Sequence, residues 1–409
     1  MTRIESIRQH AASRFAELGF PTTKEEEWRF TNVSPIARTQ FSAAPSDLSG
    51  WEGAALDQGL FRRVSGVRLV FVNGRYSPAL SFQRPAKGIR AASLSEANGD
   101  AEAHLARHAA YQNRAFVAMN TAKFGDGAWV EIPRGTIMEE PIHLVFLASG
   151  GDVPVVSFPR SLVVIGADSE VTLIESYIGQ GASYFTNAVT EIVAGDHTIV
   201  DHYKLQQEDE RSFHVAALQA QIGREASFST HSISLGGGLV RNDVNAVLDE
   251  GAEAVVNGLY LASGKQHVDN HTVIDHARPH GTSRELYKGI LDGGSTAVFN
   301  GKIIVRPDAQ KTDAKQTNKN LLLSEDAAIN TNPELQILAD DVRCTHGATI
   351  GQLDQEAIFY LQSRGIGKEE ARDLLTYAFA RDIVERIKVA PLSALLEQVL
   401  TERLHAHRN

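Results

Sequence analysis

The amino-terminal residues carry apolar side chains at helical spacing. These positions recur every three or four residues until Gly19-Phe20-Pro21 interrupts them, and they are Ile4, Ile7, Ala11, Phe15 and Leu18. The spacing predicts an amphipathic helix that ends before Gly19. Thr23 and Glu26 have the spacing of a capping box, which predicts a short second helix ending near Trp28 and Phe30.

A β-like segment separates this region from a further helical one. Residues 40–60 are rich in Ser, Ala, Gly and Asp and predict a connection. The run from Val67 to Val72 predicts a strand, and the dipeptide Asn73-Gly74 behind it predicts a tight turn. Residues 100–121 return to helical spacing. We therefore predict that residues 1–120 are mainly helical with a small β insertion.

From about Ala128 to Leu353 the helical periodicity disappears, and short β-branched runs alternate with glycine-containing turns. A small-polar turn followed by a strand recurs at intervals of 28 or 29 residues, at Gly166, Gly195, Gly223 and Gly251, with a further match 43 residues later at Gly294. Strands repeating at such a period, with no helix between them, favour a β-solenoid over residues 121–351. A large antiparallel sandwich with accidental turn spacing stays the alternative.

Helical spacing returns in the last part of the chain, residues 352–409. One pattern stops at Gly365, a longer one opens at Gly367 and is predicted to end at Pro391, and a third follows that proline. The apolar stripe of the longer pattern is wider than one helix face, so these helices need a surface to pack on. That surface is either the end of the solenoid, which they would cap, or a partner protein.

Composition and charge narrow the class of protein. The chain has 409 residues, of which 43% are apolar, enough for a sizeable core. Its 40 basic and 50 acidic residues give a net charge of −10, which disfavours general nucleic-acid binding. Cys344 is the single cysteine, so no intrachain disulfide forms. No apolar run reaches a membrane span, and the amino terminus lacks a signal-peptide pattern. These features predict a cytoplasmic protein.

Nucleotide-binding loops are not recognisable in the chain. Lys265 and Lys302 each follow a glycine, but neither has the glycine spacing or the following Ser or Thr of a P-loop. We therefore predict no ATPase activity. Gly236-Gly237-Gly238 is interpreted as a turn between strands. A β-helix polysaccharide lyase or hydrolase using carboxylates such as Asp243, Asp249 and Glu250 is an alternative function.

Two histidine-containing segments are candidate metal sites. His267, His271, His276 and His280 fall within fourteen residues, but on a strand the first two would share one face and the last two the other. We interpret them as structural. Cys344 and His346 stand two residues apart, so an extended strand would project both in one direction. Thiolate and imidazole are ligands for iron, zinc and copper. The alternative is a small buried cysteine beside a structural histidine.

Several longer segments carry specific motifs. They are KEEEWRFTNVSP, AFVAMNTAKFGDGAWVEIPRG, HVDNHTVIDHARPHGTSRELYKGIL, the block from Phe299 to Gly351, and its continuation QLDQEAIFYLQSRGIGKEEARDLLTYAFARDIVERI. Together these segments resemble the SufB/SufD family of iron–sulfur cluster assembly proteins. The resemblance runs over nearly the whole chain, and its carboxy-terminal block is highly specific.

The chain resembles the SufD type within this family. SufB-type members carry extra cysteines, including one in the region equivalent to residues 317–322, and a glutamate near the position of Gly347. This chain has no cysteine in the first region and glycine at the second position. A SufB-type scaffold is therefore the nearest alternative within the family.

The resemblance implies a right-handed parallel β-helix flanked by amino- and carboxy-terminal helical regions. It also implies a non-enzymatic scaffold subunit that pairs with SufB through the solenoid ends and docks the SufC ATPase through its carboxy-terminal helices, where we expect Leu374, Leu375 and Phe379 to contribute. His346 matches a histidine implicated in binding iron or the nascent cluster at the SufB junction, with Cys344 beside it.

Other implications of the resemblance concern cofactors and assembly. The isolated chain is expected to hold no resident cofactor, since one cysteine is too few for a cluster and the remaining ligands would come from SufB. The family assembly is linked to reduced flavin, for which the sequence locates no site. A homodimer of the isolated chain, and a purely structural adaptor that never contacts iron, stay open.

Overall fold

Most of the chain forms a β-solenoid of about eight turns, with helices near both termini. The computed structural model describes residues 3–44, 51, 63–82, 88–96, 99–150, 153–181 and 183–406. The solenoid prediction is confirmed, and the antiparallel sandwich is wrong, because the stacked strands of successive coils are parallel. No helix in the described ranges is long and apolar enough to cross a membrane.

Two sheets make up the walls of the solenoid. Sheet A contains β1 (Ser42–Ala43), β4 (Arg90–Ser93), β5 (Gly127–Ile132), β7 (Val155–Ser157), β8 (Arg160–Ile165), β10 (Tyr184–Ala194), β12 (Phe213–Ile222), β14 (Leu239–Leu248), β16 (His267–His276), β18 (Thr296–Val305) and β20 (Ala328–Ile337). Sheet B contains β2 (Val67–Val72), β3 (Arg75–Tyr76), β6 (Ile142–Ser149), β9 (Glu170–Gln180), β11 (Ile199–Gln207), β13 (Ser227–Ser234), β15 (Glu253–Ala262), β17 (Thr282–Leu291), β19 (Asp313–Leu322) and β21 (Arg343–Gly351).

The repeated glycines lie where the turns of neighbouring coils stack closely. A Cβ atom at Gly166 would lie 2.4 Å from the backbone nitrogen of Arg134, and one at Gly195 would lie 2.7 Å from that of Ala167. These turns lead from sheet A to sheet B. Gly294 belongs to the other edge of the solenoid, in the turn from β17 to β18. Its 43-residue spacing therefore reflects one and a half coils, and including it in the same row was wrong.

Seven helices are found in the described ranges: α1 (Arg3–Leu18), α2 (Ser34–Arg38), α3 (Gly99–His104), α4 (Ala115–Lys123), α5 (Gln355–Ser363), α6 (Lys368–Val384) and α7 (Ala390–Ala406). The amino-terminal region packs on the outer face of sheet A, where Trp28 and Phe116 contact Phe185. The carboxy-terminal helices cover the outer face of sheet B, where Ile383 and Leu396 join a cluster with Leu259. They therefore pack on the side of the solenoid and do not cap its end.

Several local predictions are corrected by the structure. The second helix is a single 3-10 turn over Glu26–Trp28, and the capping interaction runs from the backbone nitrogen of Thr22 to the Glu25 carboxylate at 2.8 Å, not between Thr23 and Glu26. The helical spacing of residues 100–121 is divided between α3 and α4. Pro391 stands in the first turn of α7, where proline is tolerated, while α6 already ends at Val384.

The predicted β insertion is part of the solenoid wall. Strand β2 pairs in parallel with β6 and extends sheet B, while Asn73 and Gly74 form the turn to β3 with positive φ angles of 51° and 76°. The predicted connection at residues 40–60 lies mostly outside the described residues. Its described part includes β1, which pairs with β7.

Candidate functional site

The solenoid ends at β20 and β21, which form an open end. Each of these strands pairs with the preceding strand of its sheet, and within the described ranges neither pairs with a further strand. Ile337, Leu338 and Ile350 are exposed at this end. A strand edge with unpaired backbone groups and apolar side chains is suited to pairing with another protein chain.

Cys344 and His346 both face inward at this open end. Cys344 is in register with Ala314 and His346 is in register with Gln316, and both partners are inward-facing, buried residues of β19. The predicted shared face is therefore present. Cys344 packs against a cluster that includes Ile303 and Val305, and burial raises the pKa of its thiol. His346 is exposed because no coil covers it.

The two side chains supply an incomplete metal site. In the part of the chain that the structure describes, no group of three or more His, Cys, Asp or Glu side chains gathers around a common point. A thiolate is the metal-binding form of cysteine, and the raised pKa of Cys344 disfavours it. His346 is therefore the stronger ligand of the pair, and a bound iron would take further ligands from elsewhere.

A polar column runs inward from His346 along sheet B. Glu285 is in register with Gln316, which is in register with His346. The Gln316 amide donates from Nε2 to Glu285 Oε2 at 2.7 Å. The sequence predictions missed Glu285 and Gln316. Their spacings of 31 and 30 residues to the next member match one coil, and this was the signal that could have found them.

Burial dominates the chemistry of Glu285. It raises the pKa of the Glu285 carboxyl to about 7, against the opposing effects of the Thr272 hydroxyl and the Gln316 amide. Only 3% of the residue is exposed. A carboxylate in such a place is costly to ionise unless a positive charge balances it.

We expect Glu285→Gln to stabilise the fold in metal-free buffer near pH 8, by on the order of 3 kcal/mol, and to be close to neutral near pH 4. Between the ordinary carboxyl pKa and the raised folded value, the folded state keeps a proton that the unfolded state has released. Wild-type stability therefore falls as the pH rises through that window. Urea unfolding of both proteins across this range measures the difference.

The other titratable groups facing Glu285 are Tyr260, Tyr287, His276 and His346, and they are common to both proteins. Their titration therefore cancels in the comparison. An equal gain in stability at both ends of the pH range would contradict a raised pKa at Glu285.

A second polar network lies deeper in the solenoid, and its charges are balanced. Lys204 Nζ lies 2.9 Å from His214 Nε2, and His214 Nδ1 lies 2.7 Å from Glu208 Oε2. Glu175 lies 3.4 Å from His202. Burial lowers the pKa of Lys204 to about 8 even though Glu175 and Glu208 act to raise it. The sequence predictions did not identify this network.

The histidine segment of β16 is mainly structural in its contacts. His276 faces inward and pairs with the Ser283 hydroxyl at 2.9 Å, whereas His267 pairs with Thr31 and Thr296 at 2.9 and 2.7 Å. His271 lies 3.0 Å from the buried Asp269. His280 is exposed in the following turn, with a φ angle of 63°.

The residues considered for other functions are also placed. Lys302 lies inside β18 and pairs with Glu334 at 2.7 Å, and Lys265 lies in the turn before β16. Asp243 pairs with Arg241 and Arg114 at 2.9 and 3.4 Å, which lower its pKa. Such a carboxylate is a poor general acid. Asp249 and Glu250 lie in the turn after β14.

The predicted docking residues of α6 have different environments. Leu374 is 46% exposed, while Leu375 and Phe379 are partly buried against neighbouring apolar residues of the same protein. Lys288 on β17 donates to the backbone oxygen of Phe379 at 2.9 Å and lies over its ring. On α5, Phe359 and Tyr360 are 72% and 57% exposed, and the sequence predictions did not include them.

Comparisons with known proteins cover both regions of the chain. The family model described as SUF system FeS cluster assembly, SufBD core domain, matches residues 146–379, and the SufBD protein N-terminal region matches residues 1–144. An iron–sulfur cluster assembly SufBD family protein of Synechocystis sp. is 36% identical over 410 residues, covering 97% of this chain and 90% of that protein.

Two further relatives have similar coverage. The iron–sulfur cluster assembly protein SufD of Escherichia coli is 32% identical over 390 residues, which are 94% of this chain and 89% of that protein. The protein ABCI7, chloroplastic, of Arabidopsis thaliana is 29% identical over 397 residues, which are 94% of this chain and 82% of that protein.

Proposed function

Because the chain belongs to the SufBD family of iron–sulfur cluster assembly proteins and is SufD-like, we propose that it is a non-enzymatic subunit of a scaffold complex with SufB and the SufC ATPase. The observation that carries the proposal is the open solenoid end, where His346 and Cys344 share an inward face. Iron or the nascent cluster is the cargo of this site, which the chain shares with its partner.

The SufB contact is proposed at β20 and β21. The exposed apolar residues and unpaired strand edges there would continue the sheets into a second solenoid. The two inward-facing residues would then lie at the junction, where the partner can complete a ligand set of sulfur and nitrogen atoms. Cys344 is a free thiol, which fits a reducing cytoplasm.

The SufC contact is proposed on the carboxy-terminal helices. Leu374, Phe359 and Tyr360 expose large apolar or aromatic surfaces on α6 and α5, and such side chains are common anchors of protein interfaces. Leu375 and Phe379 support this surface from behind. A pure adaptor that holds SufB and SufC together is the second candidate, and it is favoured by the partial burial of Cys344.

In the assembled complex, we expect His346→Ala to reduce iron retention and cluster formation by about tenfold or more, since the loss of even an outer-shell partner weakens metal sites by about 10- to 100-fold. Assembly should be unchanged because His346 is exposed and makes no core contact in the described structure. Iron content and the appearance of cluster absorbance measure the effect.

The matched variants are Thr345→Ala, which changes the outward neighbour on β21, and Cys344→Ser. Thr345→Ala should behave as wild type. A His346→Ala complex that forms clusters at the wild-type rate would support the pure adaptor and exclude the ligand role. If Cys344→Ser changes only solubility, the cysteine is structural.

A further inference from the structure

The column below His346 contains two buried oxygen atoms that have no hydrogen-bond partner in the described structure. They are Glu285 Oε1 and Gln316 Oε1. Glu285 and Gln316 face the interior on neighbouring strands, and strands in one sheet are about 4.8 Å apart, so Glu285 lies two strands beneath His346. Buried polar atoms in folded proteins are nearly always paired, so two unpaired oxygens at one place indicate a ligand.

Packing fixes the direction of the Gln316 amide. A Cβ atom at Gly301 of β18 would lie 2.1 Å from Gln316 Nε2, so the amide reaches across the interior to the opposite sheet. The same nitrogen donates to Glu285 Oε2. With the nitrogen engaged in this way, the two remaining oxygens are free to bind a cation.

The charge around Glu285 is not balanced. Among the inward-facing residues from β15 to β21 there is no lysine or arginine, and the side chains nearest to Glu285 are neutral. In the deeper network, by contrast, the carboxylates of Glu175 and Glu208 have Lys204, His202 and His214 beside them. A positive charge is therefore missing only from the column near the open end.

We propose that Glu285 and Gln316 form an inner binding site for a divalent cation, beneath His346 and reached from the open end of the solenoid. Carboxylate and amide oxygens are hard ligands, suited to Mn²⁺ and Fe²⁺. The Thr272 hydroxyl, which faces the same carboxylate, and water would complete the shell. The identification of the natural ion as ferrous iron rests on the proposed function, whereas the site itself does not.

Binding of Mn²⁺ to the isolated full-length chain tests this site. Free Mn²⁺ is followed by electron paramagnetic resonance in an anaerobic titration, and Fe²⁺ is then added as a competitor. We expect one site in the wild type, an affinity lower by about tenfold or more in Glu285→Gln, and an unchanged affinity in Glu325→Gln, which removes the same charge from an exposed turn.

Thermal unfolding of the same samples shows whether Glu285→Gln is folded, and the variant is expected to be at least as stable as wild type. Wild-type affinity in Glu285→Gln, or no Mn²⁺ bound by the wild type, would overturn the proposal. Either result leaves the shared site at His346 unaffected, because its further ligands come from the partner. Failure of His346→Ala to impair cluster formation, conversely, does not change the Mn²⁺ titration of Glu285→Gln.

Discussion

Glu191→Ala should lower the free energy of unfolding by about 3–5 kcal/mol, the cost of leaving a buried charge without its partner. Glu191 and Arg160 are both fully buried, and Arg160 Nη2 lies 2.5 Å from Glu191 Oε1. The carboxylate also accepts hydrogen bonds from the backbone nitrogens of Ala106, His108 and Ala109 at 2.8 to 3.0 Å. It therefore ties the segment before α4 to the solenoid wall.

The dependence on pH identifies the origin of this loss. Arg160 and the backbone donors hold the pKa of Glu191 below its usual value despite burial. An acid of this kind stabilises the fold above its unfolded pKa, and this stabilisation disappears as the pH falls through the folded value. The difference between wild type and Glu191→Ala in urea unfolding should therefore shrink in acid.

The matched control is the exposed ion pair of Arg381 and Glu385, whose atoms are 2.8 Å apart. Glu385→Ala should cost less than about 1 kcal/mol, since water screens an exposed pair. Equal losses in Glu191→Ala and Glu385→Ala would show that the buried pair contributes nothing beyond a surface pair.

Leu374→Asp should abolish capture of SufC while leaving the fold intact, and Phe379→Asp should instead destabilise the fold. Leu374 is exposed, so a charge there is solvated in the free protein and becomes costly only when a partner covers it. Interface anchors contribute about 2 kcal/mol or more, which corresponds to a loss of affinity of about thirtyfold. Phe379 is packed against the same protein and lies under Lys288.

Co-purification with SufC and thermal unfolding of the free chain, measured on the same variants, separate the two effects. Ile137→Asp is the control, because Ile137 is also exposed and apolar but lies far from the carboxy-terminal helices along the chain. It should change neither measurement. Normal SufC capture by folded Leu374→Asp would place the docking surface elsewhere, and a folded, stable Phe379→Asp would contradict its supporting role.

The local patterns predicted those features that depend on neighbouring residues in sequence. Helices α1 and α6 follow from apolar spacing, because one helix face is buried wherever the helix packs. The common face of Cys344 and His346 follows from the alternation of side chains along a strand. The resemblance added the family, which the comparisons confirm, and singled out His346.

The sequence by itself also determined the solenoid, because each coil needs a glycine where its turn stacks on the turn below. Only the tertiary structure decided which residues of different coils meet. Successive inward positions from His202 through Thr230 and Glu285 to His346 are separated by 26 to 31 residues per coil. The turns differ in length, and hydrogen bonds between coils set the register. Glu285, Gln316 and His346 therefore form a column that no constant period predicts, and the carboxy-terminal helices pack on sheet B because its outer face, not the solenoid end, offers matching apolar side chains.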